Sequence, residues 1–225
     1  VSKLAKSKEI VTMIDNTFAS PINQTPVDFG IDIMIHSATK YMGGHSDILA
    51  GAIAGSNEHI LKIWNVAKNL GGSLSDFTVW MLERSLKTLN LRVKKQSKNA
   101  LKMAKYLAIN PDVYHVYYPG LKGHPDYKIA KKQMKNFGGM LSFELKEGID
   151  PMKFQNSLKL IESSMSLAGV ESTLLSPALT SHALLGAEER ANQGIKDGLI
   201  RFSVGIESTK DLIADIEKAI KKAKK

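Results

Sequence analysis

A short apolar run, Ile31-Asp32-Ile33-Met34-Ile35, passes directly into His36-Ser37-Ala38-Thr39-Lys40-Tyr41-Met42-Gly43-Gly44-His45-Ser46-Asp47. No other junction in the chain constrains the fold as much. The run reads as a buried strand. Residues 10–14 before it and 50–54 after it have the same character. Apolar runs this short, separated by longer segments, belong to a sheet covered on both faces, as in α/β proteins. The segment that follows the strand ends in two glycines, which let backbone turn sharply and approach a ligand closely. In α/β sheets, ligands gather beyond the carboxyl ends of the strands. Ser37, Thr39 and Lys40 stand in that place.

The chain has 31 Lys plus Arg, and the four Arg are at 84, 92, 190 and 201. Most lysines lie in polar, helix-like segments and read as solvated charges. Lys40 differs by its position past a strand end. A lysine amine sheltered from water is a nucleophile toward aldehydes, and neighbouring hydroxyls suit phosphate oxygens. Pyridoxal phosphate (PLP) carries both an aldehyde and a phosphate, so it is the expected cofactor.

Asp15 closes the preceding strand. An acid there can bond the pyridine nitrogen of that cofactor, and an Asx turn or helix cap explains it equally well. Ser37 and Thr39 bracket Ala38 and point the same way, toward phosphate or into local backbone bonds. His36 and His45 lack zinc-ligand spacing with any third ligand and read as structural or supporting, so no metal is expected. Gly43-Gly44 is not a Walker A loop. Arg201 sits inside the apolar run Leu199-Ile200-Arg201-Phe202-Ser203-Val204. A guanidinium in such a strand needs a partner. The α-carboxylate of an amino-acid substrate fits its fork, and so does an internal acid. Ser166, in the small-residue loop 164–169, could position the lysine or that carboxylate.

Helical periodicity predicts a helix over residues 57–69, ended by Gly71-Gly72-Ser73. It then predicts one long helix or two in tandem over 76–107. Further on, strands are expected at 113–117, 140–145 and 199–204, and helices at 127–135, 151–161 and 209–223. Residues 3–9 read as the end of a polar helix. The change of pattern divides the chain near residue 92, giving an α/β part over 1–92 and an α+β part over 93–225.

A hydrophobic content of 43% with 24% charged residues is globular rather than disordered. Cysteine is absent, which excludes disulfides and thiolate metal sites. No run approaches the roughly 20 apolar residues that span a bilayer. The net charge of +9 is spread over several segments without interleaved aromatics. Nucleic-acid binding is therefore not expected, and a basic site for anionic substrates and a phosphate cofactor stays open. The start, Val1-Ser2-Lys3, lacks an initiator Met and reads as that of a fragment, a processed chain or a cloned piece.

Three motifs in order carry a resemblance: Asp15-Asn16-Thr17-Phe18; His36 to Tyr41 with Gly44-His45-Ser46-Asp47; and Gly194 to Glu207. With them the chain resembles the PLP-dependent Cys/Met metabolism (trans-sulfuration) family over essentially its whole length. That family includes cystathionine γ-synthases, cystathionine γ- and β-lyases and methionine γ-lyases. The resemblance implies a fold type I, aminotransferase-like α/β architecture. Residues 1–92 would be part of the large PLP-binding domain and 93–225 the small C-terminal domain. It implies a cytoplasmic homotetramer built of dimers. It assigns Lys40 to an imine with PLP, Asp15 to the ring nitrogen, and Ser37 and Thr39 to phosphate. Arg201 takes the substrate carboxylate, with Ser166 nearby. It also implies an N-terminal portion, bearing a phosphate loop and a stacking aromatic ring, that this sequence lacks. The chain alone is therefore expected to be inactive or nearly so. Met165 and Ala168 stand where the γ-synthases and many γ-lyases have Glu and Gly. That difference favours a lyase, with a cystathionine γ-synthase-type transferase, or another fold type I enzyme such as an aminotransferase, as the alternatives.

Overall fold

The computed structural model describes residues 1–224. The chain forms two units, Val1–Val93 and Lys94–Lys225. In the first, α1 (Ser2–Lys6) precedes β1 (Met13–Asp15), the short α2 (Ser20–Asn23), a 3-10 turn, β2 (Ile33–Ser37) and β3 (Gly51–Gly55). Then come α3 (Asn57–Leu70), α4 (Asp76–Leu86) and the start of α5 (Leu89–Ile109). The sheet order is β1-β2-β3. β1 and β2 run parallel, with Asp15 level with Ile35, whereas β3 is antiparallel to β2.

Local chemistry sets these boundaries. β1 starts three residues later than the apolar run suggests, because the Thr12 N–H and hydroxyl are taken by the Asp32 carboxylate at 2.8 and 2.7 Å. Helix α3 opens on Ser56, whose hydroxyl accepts the His59 N–H, and closes on Gly71 at φ +73°. Helices α4 and α5 are the tandem pair, broken at residues 87–88. Covering on both faces is not found at β3, where four of five residues are exposed. Its small side chains, Gly51-Ala52-Ile53-Ala54-Gly55, bury little within this unit.

In the second unit the elements are β4 (Val113–Tyr117), α6 (Tyr127–Gln133), β5 (Met140–Leu145), α7 (Pro151–Ser157), β6 (Glu162–Ser163), β7 (Thr173–Leu175), α8 (Ala187–Asn192), β8 (Leu199–Ser203) and α9 (Thr209–Ala223). The sheet order is β4-β5-β8-β7-β6. It is antiparallel apart from the β6–β7 pair. Met103 and Leu107 of α5, Phe154 of α7, and Leu212 and Ile216 of α9 form one core with Phe143 and Phe202 of the sheet. Each fully buried side chain of this size contributes roughly 1.5–3 kcal/mol.

Helix α7 stops at Ser157, short of the residue 161 that its pattern suggests. The Asp215 carboxylate of α9 accepts the N–H groups of Lys159, Leu160 and Ile161 at 2.9–3.1 Å, which pulls them out of the helix. Helix α6 likewise ends at Gln133, and Met134 is already extended.

Candidate functional site

The first unit gathers Asp15, Ser37, Thr39 and Lys40 at the carboxyl ends of β1 and β2. Parallel pairing puts those two ends on the same side of the sheet. The ends are tied together: Asn16 N–H donates to Ile35 O at 2.9 Å, and Ser37 N–H donates to Thr17 Oγ1 at 2.8 Å. The Asp15 carboxylate accepts the Thr17 N–H at 2.9 Å, so the Asx-type turn is present. The Thr17 hydroxyl and N–H hold its carboxyl below the usual carboxylate range, and His36 adds to this. Burial pushes the His36 imidazole pKa down, partly offset by Asp15.

The lysine turn is rigid in its main chain and free in its side chain. Lys40 N–H donates to Ser37 O at 3.1 Å, Gly43 N–H to Ala38 O at 2.7 Å and Gly44 N–H to Lys40 O at 2.7 Å. Among the described residues, neither the Lys40 ammonium nor the Ser37 hydroxyl has a hydrogen-bond or ion-pair partner. Thr39 differs. Its hydroxyl accepts the Ala50 N–H at 3.0 Å and points at Ala50 O over a long 3.3 Å. The two glycines do not leave room for a ligand. A Cβ at Gly44 would overlap the Arg92 guanidinium, and one at Gly43 would lie 2.9 Å from Ile48 Cγ1.

In the second unit Arg201 lies on β8 between Ser142 of β5 and Leu175 of β7. It is half-buried. Its Nη2 donates to Met165 O at 2.8 Å and Ser166 O at 3.1 Å, and no acid pairs with it among the described residues. Burial alone pulls its pKa down. Ser166 meets Arg201 through its carbonyl rather than its hydroxyl. The loop is pinned from behind by three contacts. Thr173 Oγ1 donates to Ser166 O, Ser203 Oγ accepts the Ala168 N–H, and Gln96 Nε2 donates to Gly169 O at 2.6 Å. Among the described residues no group of three or more His, Cys, Asp or Glu could hold a metal ion.

The sequence reading passed over Arg92, Gln96 and Thr17. For the first two a signal existed: they fall on the same stripe of α5 as Leu89, Met103 and Leu107, which are buried. Polar residues on a buried stripe are there to hold something.

Residues 1–221 match the sequence model of the family described as "Cys/Met metabolism PLP-dependent enzyme". The chain belongs to this family. It is 45% identical over 223 residues to a cystathionine beta-lyase of Lactococcus lactis, covering 99% of the chain and 59% of the relative. It is also 45% identical over 221 residues to the chloroplastic cystathionine gamma-synthase 1 of Arabidopsis thaliana, covering 98% and 39%. A cystathionine gamma-lyase from Lactobacillus plantarum, solved with L-serine, superposes with a TM-score of 0.93 at 42% identity over 99% of this chain and 58% of that one. The fold is therefore the α/β fold type I of these family members. The chain spans about three fifths of the length of the bacterial relatives it matches.

Proposed function

We propose that the protein containing this chain is a PLP-dependent enzyme of sulfur amino acid metabolism. It would eliminate or replace the substituent at Cβ or Cγ of cystathionine, methionine or an activated homoserine. The observation that carries this reading is the donor set at the ends of β1 and β2. A primary amine and a hydroxyl stand there without protein partners, beside a carboxylate kept ionised by Thr17. That set fits a cofactor with an aldehyde, a phosphate and a basic ring nitrogen.

PLP, when bound, supplies an electron sink for bond breaking around Cα. Lys40 Nζ would hold its aldehyde carbon and, once released, take the proton from the substrate Cα. The Asp15 carboxylate would keep a proton on the ring nitrogen. Ser37 Oγ would donate to the phosphate. Thr39 would join it by turning its weakly held O–H from Ala50 O while still accepting the Ala50 N–H. Arg201 would bind the α-carboxylate through guanidinium N–H groups that Met165 O and Ser166 O leave free, with Ser166 Oγ beside it.

A lyase and a synthase are matched at the same identity, so a γ-synthase-type transferase is the second reading. Exposed, apolar Met165 supports the lyase. An aminotransferase, the remaining fold type I alternative, would need an external 2-oxo acid in every turnover. Residues 1–92 are assigned to the large cofactor-binding domain and 93–225 to the small domain. Cytoplasmic residence and a homotetramer of paired dimers complete the reading. The exposed apolar side chains Trp64, Phe77 and Trp80 of α3 and α4 support an assembly.

The test is product analysis of the full-length protein with PLP and cystathionine, methionine, or O-succinylhomoserine plus cysteine. Thiol, ammonia and a 2-oxo acid indicate a lyase, and a new thioether indicates the transferase. No turnover of any of the three sinks the proposal.

A further inference from the structure

We propose that Arg92 is a positioning residue for Lys40, holding the main chain from which the lysine side chain springs. The inference rests on the reading that Lys40 binds the cofactor aldehyde. Arg92 is 6% exposed. Its Nη1 donates to Tyr41 O at 2.7 Å, and Nη2 donates to Met42 O at 3.2 Å and Ser85 O at 2.9 Å. Its Nε donates to Thr88 Oγ1 at 3.0 Å. No carboxylate pairs with it among the described residues. A buried cation held by neutral oxygens alone is a costly way to join two segments. It does give a planar fork that grips two consecutive carbonyls, which a lysine cannot do.

Those carbonyls are the two that follow Lys40. On the other side, Thr39 is fastened to Ala50 through N–H to O at 3.1 Å and through its hydroxyl. Lys40 is thus clamped before and after, although its amine is bound to nothing. A lysine stem has several rotatable bonds, so the reach of its amine is set by where its Cα is fixed. Gly44 is a second, independent observation. It has φ +72°, and any Cβ there would occupy the place of the Arg92 guanidinium. The glycine keeps space for the arginine.

The test uses the full-length protein freed of cofactor, as wild type, Arg92→Lys and Thr88→Val. Each is mixed with PLP and reduced with borohydride. Label at Lys40 is then counted against label at the exposed Lys62, and melting temperature is measured alongside. Arg92→Lys should lower the ratio of Lys40 to Lys62 labelling rates about tenfold or more, the size expected of a displaced reacting group. Thr88→Val, which removes the Nε acceptor together with the hydroxyl's own 3.2 Å bond to Ser85 O and leaves the grip on Tyr41 O and Met42 O in place, should lower it less. An unchanged ratio in both variants overturns the proposal, even if both melt early. Should Arg92→Lys fail to fold, an unchanged ratio in Thr88→Val overturns it by itself. Absence of label at Lys40 in the wild type overturns the cofactor reading instead.

Discussion

Ser203 holds Ala168 in a left-handed backbone conformation. The Ser203 hydroxyl accepts the Ala168 N–H at 2.7 Å, and Ala168 sits at φ +67° with no exposed surface. A residue with a side chain in that region carries about 1–3 kcal/mol of strain, which the surroundings must offset. The turn follows directly on the two carbonyls that hold Arg201.

Ser203→Ala would leave a buried N–H without an acceptor, at about 1–3 kcal/mol. KM for amino-acid substrates should rise more than kcat falls, because the seat of Arg201 moves and the lysine turn does not. Thermal melts and steady-state kinetics on the full-length protein check both. A wild-type melting curve would show that the hydroxyl contributes nothing.

Arg201→Lys keeps the charge and loses the fork. If about 1.4 kcal/mol of carboxylate binding is lost, KM rises about tenfold for every amino-acid substrate. The visible band of the bound cofactor should be unchanged. A destabilised fold with an unchanged KM would make Arg201 a structural residue.

Asp15→Asn should lower kcat much more than cofactor retention. The amide can still accept the Thr17 N–H, so the turn survives, yet on the proposed reading it would no longer hold a proton on the ring nitrogen. Equilibrium dialysis of PLP alongside turnover separates the two effects. Equal kcat values would reduce Asp15 to a turn residue.

Glu144 gives a pH-dependent stability. Its side chain is 4% exposed and lies 2.9 Å from Lys196 Nζ. Burial pushes its carboxyl up, but the Tyr117 hydroxyl and the Lys196 ammonium outweigh burial and hold it below the usual carboxylate range. The folded state thus binds this proton more weakly than the unfolded chain does. The contribution is full above the unfolded pKa, about 4.3, and fades as pH falls through the lower folded value. Tyr117→Phe should cost about 1.5–3 kcal/mol at pH 7, the range for a bond to a charged group. That difference should shrink below about pH 4. Urea melts at pH 7 and pH 3 measure it, and a cost independent of pH would rule out the carboxylate as its source.

Much of this architecture was legible in the sequence where periodicity is long and breakers are clear. Strands 113–117 and 140–145 and helix 209–223 are found at the expected residues. Glu162–Ser163 and Thr173–Leu175 were not expected, since two or three residues show no period. Helix α7 ran long in the sequence because its competitor, Asp215, is more than 50 residues away along the chain. At the site, the placement of Asp15 and Lys40 followed from neighbouring strand ends. The grip on Arg201 could not be foreseen, because it comes from carbonyls, which every residue has.

The packing of Gly44 against Arg92 also bears on how such sequences can change. Any side chain at 44 forces the guanidinium to shift, and a displaced guanidinium no longer donates to the carbonyls of Tyr41 and Met42. Neither position can vary alone without harm. In a deep collection of related sequences, a lineage that abandons Gly44 should have abandoned Arg92 too, whereas Gly44 can outlast Arg92 because φ +72° itself favours glycine.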